Sequence, residues 1–250
     1  MYRLFFVFLL TRLFPNFIYS QSNGFSIDIA DKYFLRMEYD NAIDTYKKLL
    51  LQNPDDYEIN WKLARVYVNY GEIPGNEKKD YFENSKKYAE KSIQIKPSGY
   101  EGYTFLAAAI GNLAFCGDNI RKINSTWQMI SLLKKALEIN PNDDIALSIF
   151  GSIERMLANV NWIERTIAGI IYQSSLPSGS LENSVIYFKK AIAVDSTLIR
   201  HHYELGLTYL DMKEYQKAKE EFNSAIRCSI KLKADYRRIE LINKYLKELQ

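Results

Sequence analysis

Ile199-Arg200-His201-His202-Tyr203-Glu204-Leu205-Gly206-Leu207-Thr208-Tyr209, followed by Ala218, Phe222 and Ala225, decides the fold. Counted from Ile199, Leu205, Gly206, Tyr209, Ala218, Phe222 and Ala225 stand at positions 7, 8, 11, 20, 24 and 27. Small residues at 8, 20 and 27 allow two antiparallel helices to approach closely, and the aromatics at 11 and 24 fill the space beside them. The pattern recurs upstream. Ala30, Tyr33, Ala42 and Tyr46 take these positions counted from Asn23, and Leu63, Ala64 and Tyr67 take them from Tyr57. Leu106, Ala107 and Ala136 do so in a stretched unit from Tyr100, and Phe150, Gly151, Phe188 and Ala191 in a longer one from Asp144. The first three units close on Asn53-Pro54, Lys96-Pro97 and Asn140-Pro141, and Ser196 replaces the proline in the fourth. Self-similarity at a fixed period is the signature of a solenoid, in which each unit buries its apolar face against the next.

The pattern resembles the tetratricopeptide repeat. The expected fold is all-α: one helical solenoid over residues 23–250, with about five repeats starting near 23, 57, 100, 144 and 199. An inserted helix in the fourth repeat carries Val160, Trp162, Ile163, Ile167, Ile170 and Ile171 at helical spacing. A small insertion around Ile73-Pro74-Gly75 interrupts the second unit, where Gly71 marks the end of the first helix. A long helix beginning near Asp118 stretches the third, and Ser180 caps the second helix of the fourth. Residues 235–250 carry Ile239, Ile242, Leu246 and Leu249 on one face and Arg, Lys and Glu on the other, as a terminal capping helix should.

Trp162-Ile163-Glu164-Arg165-Thr166-Ile167-Ala168, then Pro177, Leu181-Glu182, Tyr187-Phe188 and Ala191, and then Leu205-Gly206 and Tyr209, go beyond the generic repeat. This second half resembles the regulator of microtubule dynamics family, with Trp162 and Arg165 matching its inserted helix. The resemblance implies a non-enzymatic protein. Animal members of the family are linked to microtubules and organelle membranes, and some bind lipid through the repeat domain.

Residues 1–23 differ from the rest. Arg3, the apolar run Leu4–Leu10, the breaker Pro15 and the small Ser20 follow the order of a secretory signal, predicting cleavage after Ser20. The apolar run is too short for a stable membrane span, which needs about 20 residues. Export to a bacterial periplasm or cell envelope is the corresponding expectation. Lys+Arg exceed Asp+Glu by 33 to 30, a balance without the basic excess of a nucleic-acid binder.

Two Cys and two His leave no zinc set, and no glycine-rich phosphate loop or His-Glu-x-x-His is present. His201 and His202, adjacent on a helix, point about 100° apart and cannot share a ligand. Cys116 and Cys228 lie two repeats apart, too far for a disulfide. Asp55-Asp56 and Asp143-Asp144 read as helix caps. No catalytic residue, metal or cofactor is expected.

Function then falls to the concave face lined by the first helix of each repeat. Its candidates are Glu58, Trp61, Arg65, Val68 and Asn69; Thr104, Ala108 and Asn112; Ser148, Ser152, Arg155 and Met156; and Arg200, Tyr203 and Leu207. Arg65 and Arg155 suit the carboxylate or backbone of a bound peptide, and Trp61, read as exposed, suits stacking beside it. The expected activity is capture of a protein or peptide. The alternative is lipid binding in an apolar pocket beside the 160–172 helix.

Overall fold

The computed structural model describes residues 25–249 apart from 74, 76–77, 116–118, 162–164, 167–168 and 170–175. The leader expected at residues 1–20, the cap expected at Asp118, Cys116 and Trp162 lie outside the described residues.

Eleven helices are described, in this order: α1 (Ile27–Leu35), α2 (Tyr39–Gln52), α3 (Tyr57–Gly71), α4 (Lys78–Ile95), α5 (Tyr100–Phe115), α6 (Asn119–Ile139), α7 (Asp144–Ala158), α8 (Leu181–Val194), α9 (Ile199–Asp211), α10 (Tyr215–Arg227) and α11 (Lys233–Glu248). The first ten pair consecutively as five helical hairpins, and α11 packs on the last of them. Of the expected inserted helix, Arg165, Thr166 and Gly169 are described and helical, whereas Val160, expected on it, lies in a bend just beyond α7.

Side-chain oxygens mark the starts. Ser26, Asp56, Asp143 and Ser180 accept the first free backbone N–H groups of α1, α3, α7 and α8. The cap helix begins at Lys233, ahead of the expected Asp235, because the Asp235 carboxylate accepts the N–H groups of Lys231 and Leu232 and organises the turn before it.

The spacing that defines the repeat works as an interlock. Gly206 in α9 faces Phe222 in α10 so closely that a Cβ would collide with its ring. Gly151 meets Phe188 in the same way, with a Cβ at 3.0 Å, and Gly71 meets Phe82 at 2.6 Å. Ala30, Ala42, Leu63, Ala64, Ala107, Ala136, Ala191, Ala218, Phe188, Phe222 and Ala225 are all completely buried. The tight turns are shared too. Met37 and Lys213 hold equivalent places between the helices of the first and last hairpins, both at φ near +60°. In each, the next N–H returns to a carbonyl of the preceding helix: Glu38 to Tyr33 and Glu214 to Tyr209.

α5 is the central helix. Phe105 through Gly111 are buried without interruption. It is therefore apolar all round, as a helix enclosed on every side must be.

Candidate functional site

The first helices of the third, fourth and fifth repeats, together with α6, α11 and the end of α3, surround a cavity of about 580 Å³. Its floor comes from α5 and α6, where Ala108, Gly111 and Ala114 sit beside Met129. Small residues create the space here, since a Cβ on Gly111 would collide with the Met129 methyl. α7 gives a mixed wall: Ile149, Ile153 and Met156 alternate with Ser148, Ser152, Arg155 and Asn159. Arg200 and Glu204 from α9, Arg238 from α11 and Glu72 at the end of α3 complete the rim. Met156 is 39% exposed, an apolar side chain left open at this wall.

Each expected concave residue can now be placed: Glu58 pairs with Lys62 of its own helix at 2.7 Å, and Leu207 packs against the core of the last hairpin. Asn112, Arg155 and Arg200 line the cavity, as do Ala108, Ser148, Ser152 and Met156. Trp61 does not stand open to the groove. Its ring stacks on Phe105 of the next repeat, with centroids 6.1 Å apart and planes within 3°. Arg65 and Lys62 lie over it, 5.2 and 5.6 Å from the ring centroid. Arg65 is likewise engaged: it pairs with Asp31 at 3.1 Å and covers the Phe34 ring at 4.1 Å. Val68 is buried among Ala108, Ala109 and Ile149. Thr104 is buried and donates to Asp143. Tyr203 packs in the last hairpin against Phe222. Asn69 and Asn112, at equivalent repeat positions, both donate back to their own helix, to the Arg65 and Ala108 carbonyls at 2.8 and 2.9 Å.

The arginines share one behaviour. Arg155 pairs with Glu204 at 3.0 Å and Asp211 at 3.4 Å. Arg200 pairs with Glu72, which also accepts from Arg238 at 2.9 Å. Guanidiniums expected to await a partner's carboxylate already hold internal ones. The cavity's polar wall is therefore held by ion pairs within the chain, with Ser148 and Ser152 beside the apolar floor. Glu72, Glu204, Met129, Ile149 and Arg238 are cavity residues that the sequence reading did not select as a site.

Two buried acids shift in opposite directions. Burial disfavours the charge of Glu72, yet Arg200 and Arg238 outweigh it and hold its carboxyl below the usual range. Burial dominates at Asp143, whose carboxyl is pushed up to about 6 despite hydrogen bonds from Thr104 and the Ala146 N–H. Beside it, Asp144 holds the buried His201 at 3.0 Å, and His202 bonds Glu221 and the Ser196 carbonyl. Both histidines tie helices together. Cys228 is half-buried, and its thiol is pushed up by burial. Among the described residues, no group of three or more His, Cys, Asp or Glu is placed to hold a metal ion.

Arg165 fastens the insertion. It donates to the carbonyls of Leu157, Val160 at 3.3 Å and Pro177 at 2.9 Å, joining the end of α7 to the segment before α8. Gly179 lets that segment lie on α7, where a Cβ would come 2.7 Å from the Ala158 nitrogen. Among the described residues, the α7 wall of the cavity runs from Ser148 to Asn159.

The family described as Regulator of microtubule dynamics protein 1-3 matches residues 26–250. The chain belongs to the regulator of microtubule dynamics family. Regulator of microtubule dynamics protein 1 of Caenorhabditis elegans is 24% identical over 202 residues, covering 80% of this chain and 89% of that protein. The Mus musculus protein of the same name is 27% identical over 177 residues, 68% of this chain and 58% of the relative. The Bos taurus protein is 26% identical over 162 residues, 63% and 51%. The chain thus spans about half the length of the mammalian relatives it matches. Two solved structures share the fold of this family member. A thermophilic TPR protein of Thermus thermophilus aligns at a TM-score of 0.66 and 19% identity, over 88% of this chain and 97% of that one. PilW, a widely conserved type IV pilus biogenesis factor, aligns at 0.53 and 14%, over 90% of each. In the regulator of microtubule dynamics chain, no helix among the described residues is long and apolar enough to cross a membrane.

Proposed function

We propose that this chain is a non-catalytic scaffold that captures a protein partner by seating a short peptide segment in the central cavity. One observation carries the reading. A cavity of about 580 Å³ combines an apolar floor, an open Met156 and the side chains of Ser148 and Ser152 within the helical repeat. Ligand sites have this build, largely preformed, apolar and provided with a few polar groups. Because Arg155 and Arg200 are already paired, the segment is read through apolar side chains on Met129, Ile149 and Met156, and through hydrogen bonds to Ser148, Ser152 and Asn112. The arginines position that wall. Lysine and acidic runs are poor candidates for the segment, since the charged side chains at the rim are already paired within the chain.

A peptide library displayed on phage, selected against the full chain, tests this. Selected peptides should lose at least tenfold in affinity for Ser152→Phe, which places a large ring in the cavity, and lose nothing for a substitution at the 84% exposed Leu51. Equal binding to Ser152→Phe would remove the cavity from the reading.

The place of action is a separate proposal. The signal-like order of Arg3, Leu4–Leu10, Pro15 and Ser20 supports export, and the N-terminal residue of the protein purified from an exporting host tests it: Gln21 for export, Met1 against.

A further inference from the structure

The two ends of the superhelix touch. Glu72, which ends α3 in the second hairpin, accepts hydrogen bonds from Arg200 at the start of α9 and from Arg238 in α11, across 128 and 166 residues. Next to them, the Lys233 N–H donates to the Tyr39 hydroxyl at 3.3 Å. The Lys233 ammonium lies over the Tyr39 and Tyr70 rings at 5.3 and 5.9 Å, and Leu232 packs against the N-terminal core.

In a solenoid the folding energy comes from each unit and its immediate neighbour. A contact that skips units is not needed for that core. This one is built mainly from charge: the Glu72, Arg200 and Arg238 side chains are only 16%, 17% and 12% exposed. Buried ion pairs pay a desolvation cost that consumes much of their attraction, so they add little net stability, while removal of one partner is severe. Such a contact is poorly suited to hold a fold together and well suited to hold one of two arrangements. Both arginines meet on the same carboxylate oxygen, so a single group controls both connections. All three residues also line the cavity.

We propose that Glu72, Arg200 and Arg238 form a latch that closes the superhelix end to end and sets entry to the central cavity. The entry clause rests on the peptide-binding reading above, whereas the latch itself does not. In the closed form, α11 is held against α3 and the rim is complete. Release of Glu72 removes both charged connections of α9 and α11 to α3 and leaves only the Lys233 and Leu232 contacts as a pivot, so the mouth widens while every hairpin keeps its own core.

The test is a pulsed dipolar distance measurement on the full chain. Cys116 and Cys228 are replaced by serine, and spin labels are attached through Glu83→Cys in α4 and Lys244→Cys in α11. Both of these sites are exposed. The wild-type chain should give one narrow distance. Glu72→Gln should weaken the contact about a hundredfold, the usual consequence of removing one partner of a buried pair, and add a longer population. Arg200→Gln with Arg238→Gln should give the same longer population from the opposite side. Both variants should keep wild-type helical circular dichroism, and a peptide that binds the wild type should associate faster with them. Unchanged distances in both variants would overturn the latch, as would loss of helicity in both, which would make the contact part of the fold. Longer distances with peptide association no faster than in the wild type would leave the latch standing and overturn its control of entry, whereas failure of any selected peptide to bind the wild type would overturn the peptide-binding reading alone.

Discussion

Phe222→Ala is expected to lower the unfolding free energy by about 3–5 kcal/mol, the usual cost of emptying a large aromatic site. Phe222 is completely buried. Its ring lies against Gly206 in α9, stacks on Tyr245 of the cap at 5.6 Å and meets Tyr203 at 6.4 Å. One side chain therefore joins both helices of the last hairpin to α11. Gly206, which faces the ring, has no side chain with which to fill the hole. Gly206→Val in the wild-type background should be destabilising through overpacking, by about 1–3 kcal/mol. Chemical denaturation followed by circular dichroism measures both. A loss below about 1 kcal/mol for Phe222→Ala would show that the cap and last hairpin are not packed as described.

Asp31→Asn is expected to cost about 2 kcal/mol at neutral pH, less than a fully buried pair because the carboxylate is 27% exposed. Asp31 in α1 holds Lys62 and Arg65 of the next repeat and accepts from the Tyr46 hydroxyl at 2.6 Å. Burial opposes its charge, but Lys62, Tyr46 and Arg65 prevail and hold its carboxyl below the usual range. A depressed folded value gives stability that is present above the unfolded value of about 4 and is lost as the pH falls through the folded one. The gap between wild type and Asp31→Asn should therefore be full at pH 7 and shrink below about pH 4. A gap that stays constant with pH would show that the hydrogen-bond geometry, and not the charge, carries the effect.

The architecture was written in local spacing. Gly206 with Phe222, Gly151 with Phe188 and the caps at Asp56 and Ser180 are each set by residues within one repeat, so the chain states them directly. The site was less legible because its chemistry is made between repeats. Trp61 reads as a free indole until Phe105 of the next repeat is brought beneath it. Arg155 and Arg200 read as free cations until Glu204 and Glu72 arrive from α9 and from the end of α3. One of these pairings did leave a readable trace. Asp31 and Arg65 are 34 residues apart, the same position in consecutive repeats, so opposite charges at one register point to a bridge between units. The Glu72 contact left none, since a separation of 128 residues depends on how far the superhelix turns. Trp162 and most of the insertion lie outside the described residues, and Arg165 emerges there as a residue that fastens α7 to the approach of α8.

Methionine methyl resonances offer the most direct test of the central claim, that a partner segment sits in the concave cavity. The chain has five methionines. Met129 and Met156 line the cavity, whereas Met37 and Met212 pack in the first and last hairpins. When the full chain, labelled at its methionine methyls, is titrated with a peptide selected from the library, Met129 and Met156 should shift together with a single binding curve while Met37 and Met212 stay in place. Binding that moves Met37 or Met212 and leaves Met129 and Met156 unmoved would contradict the account.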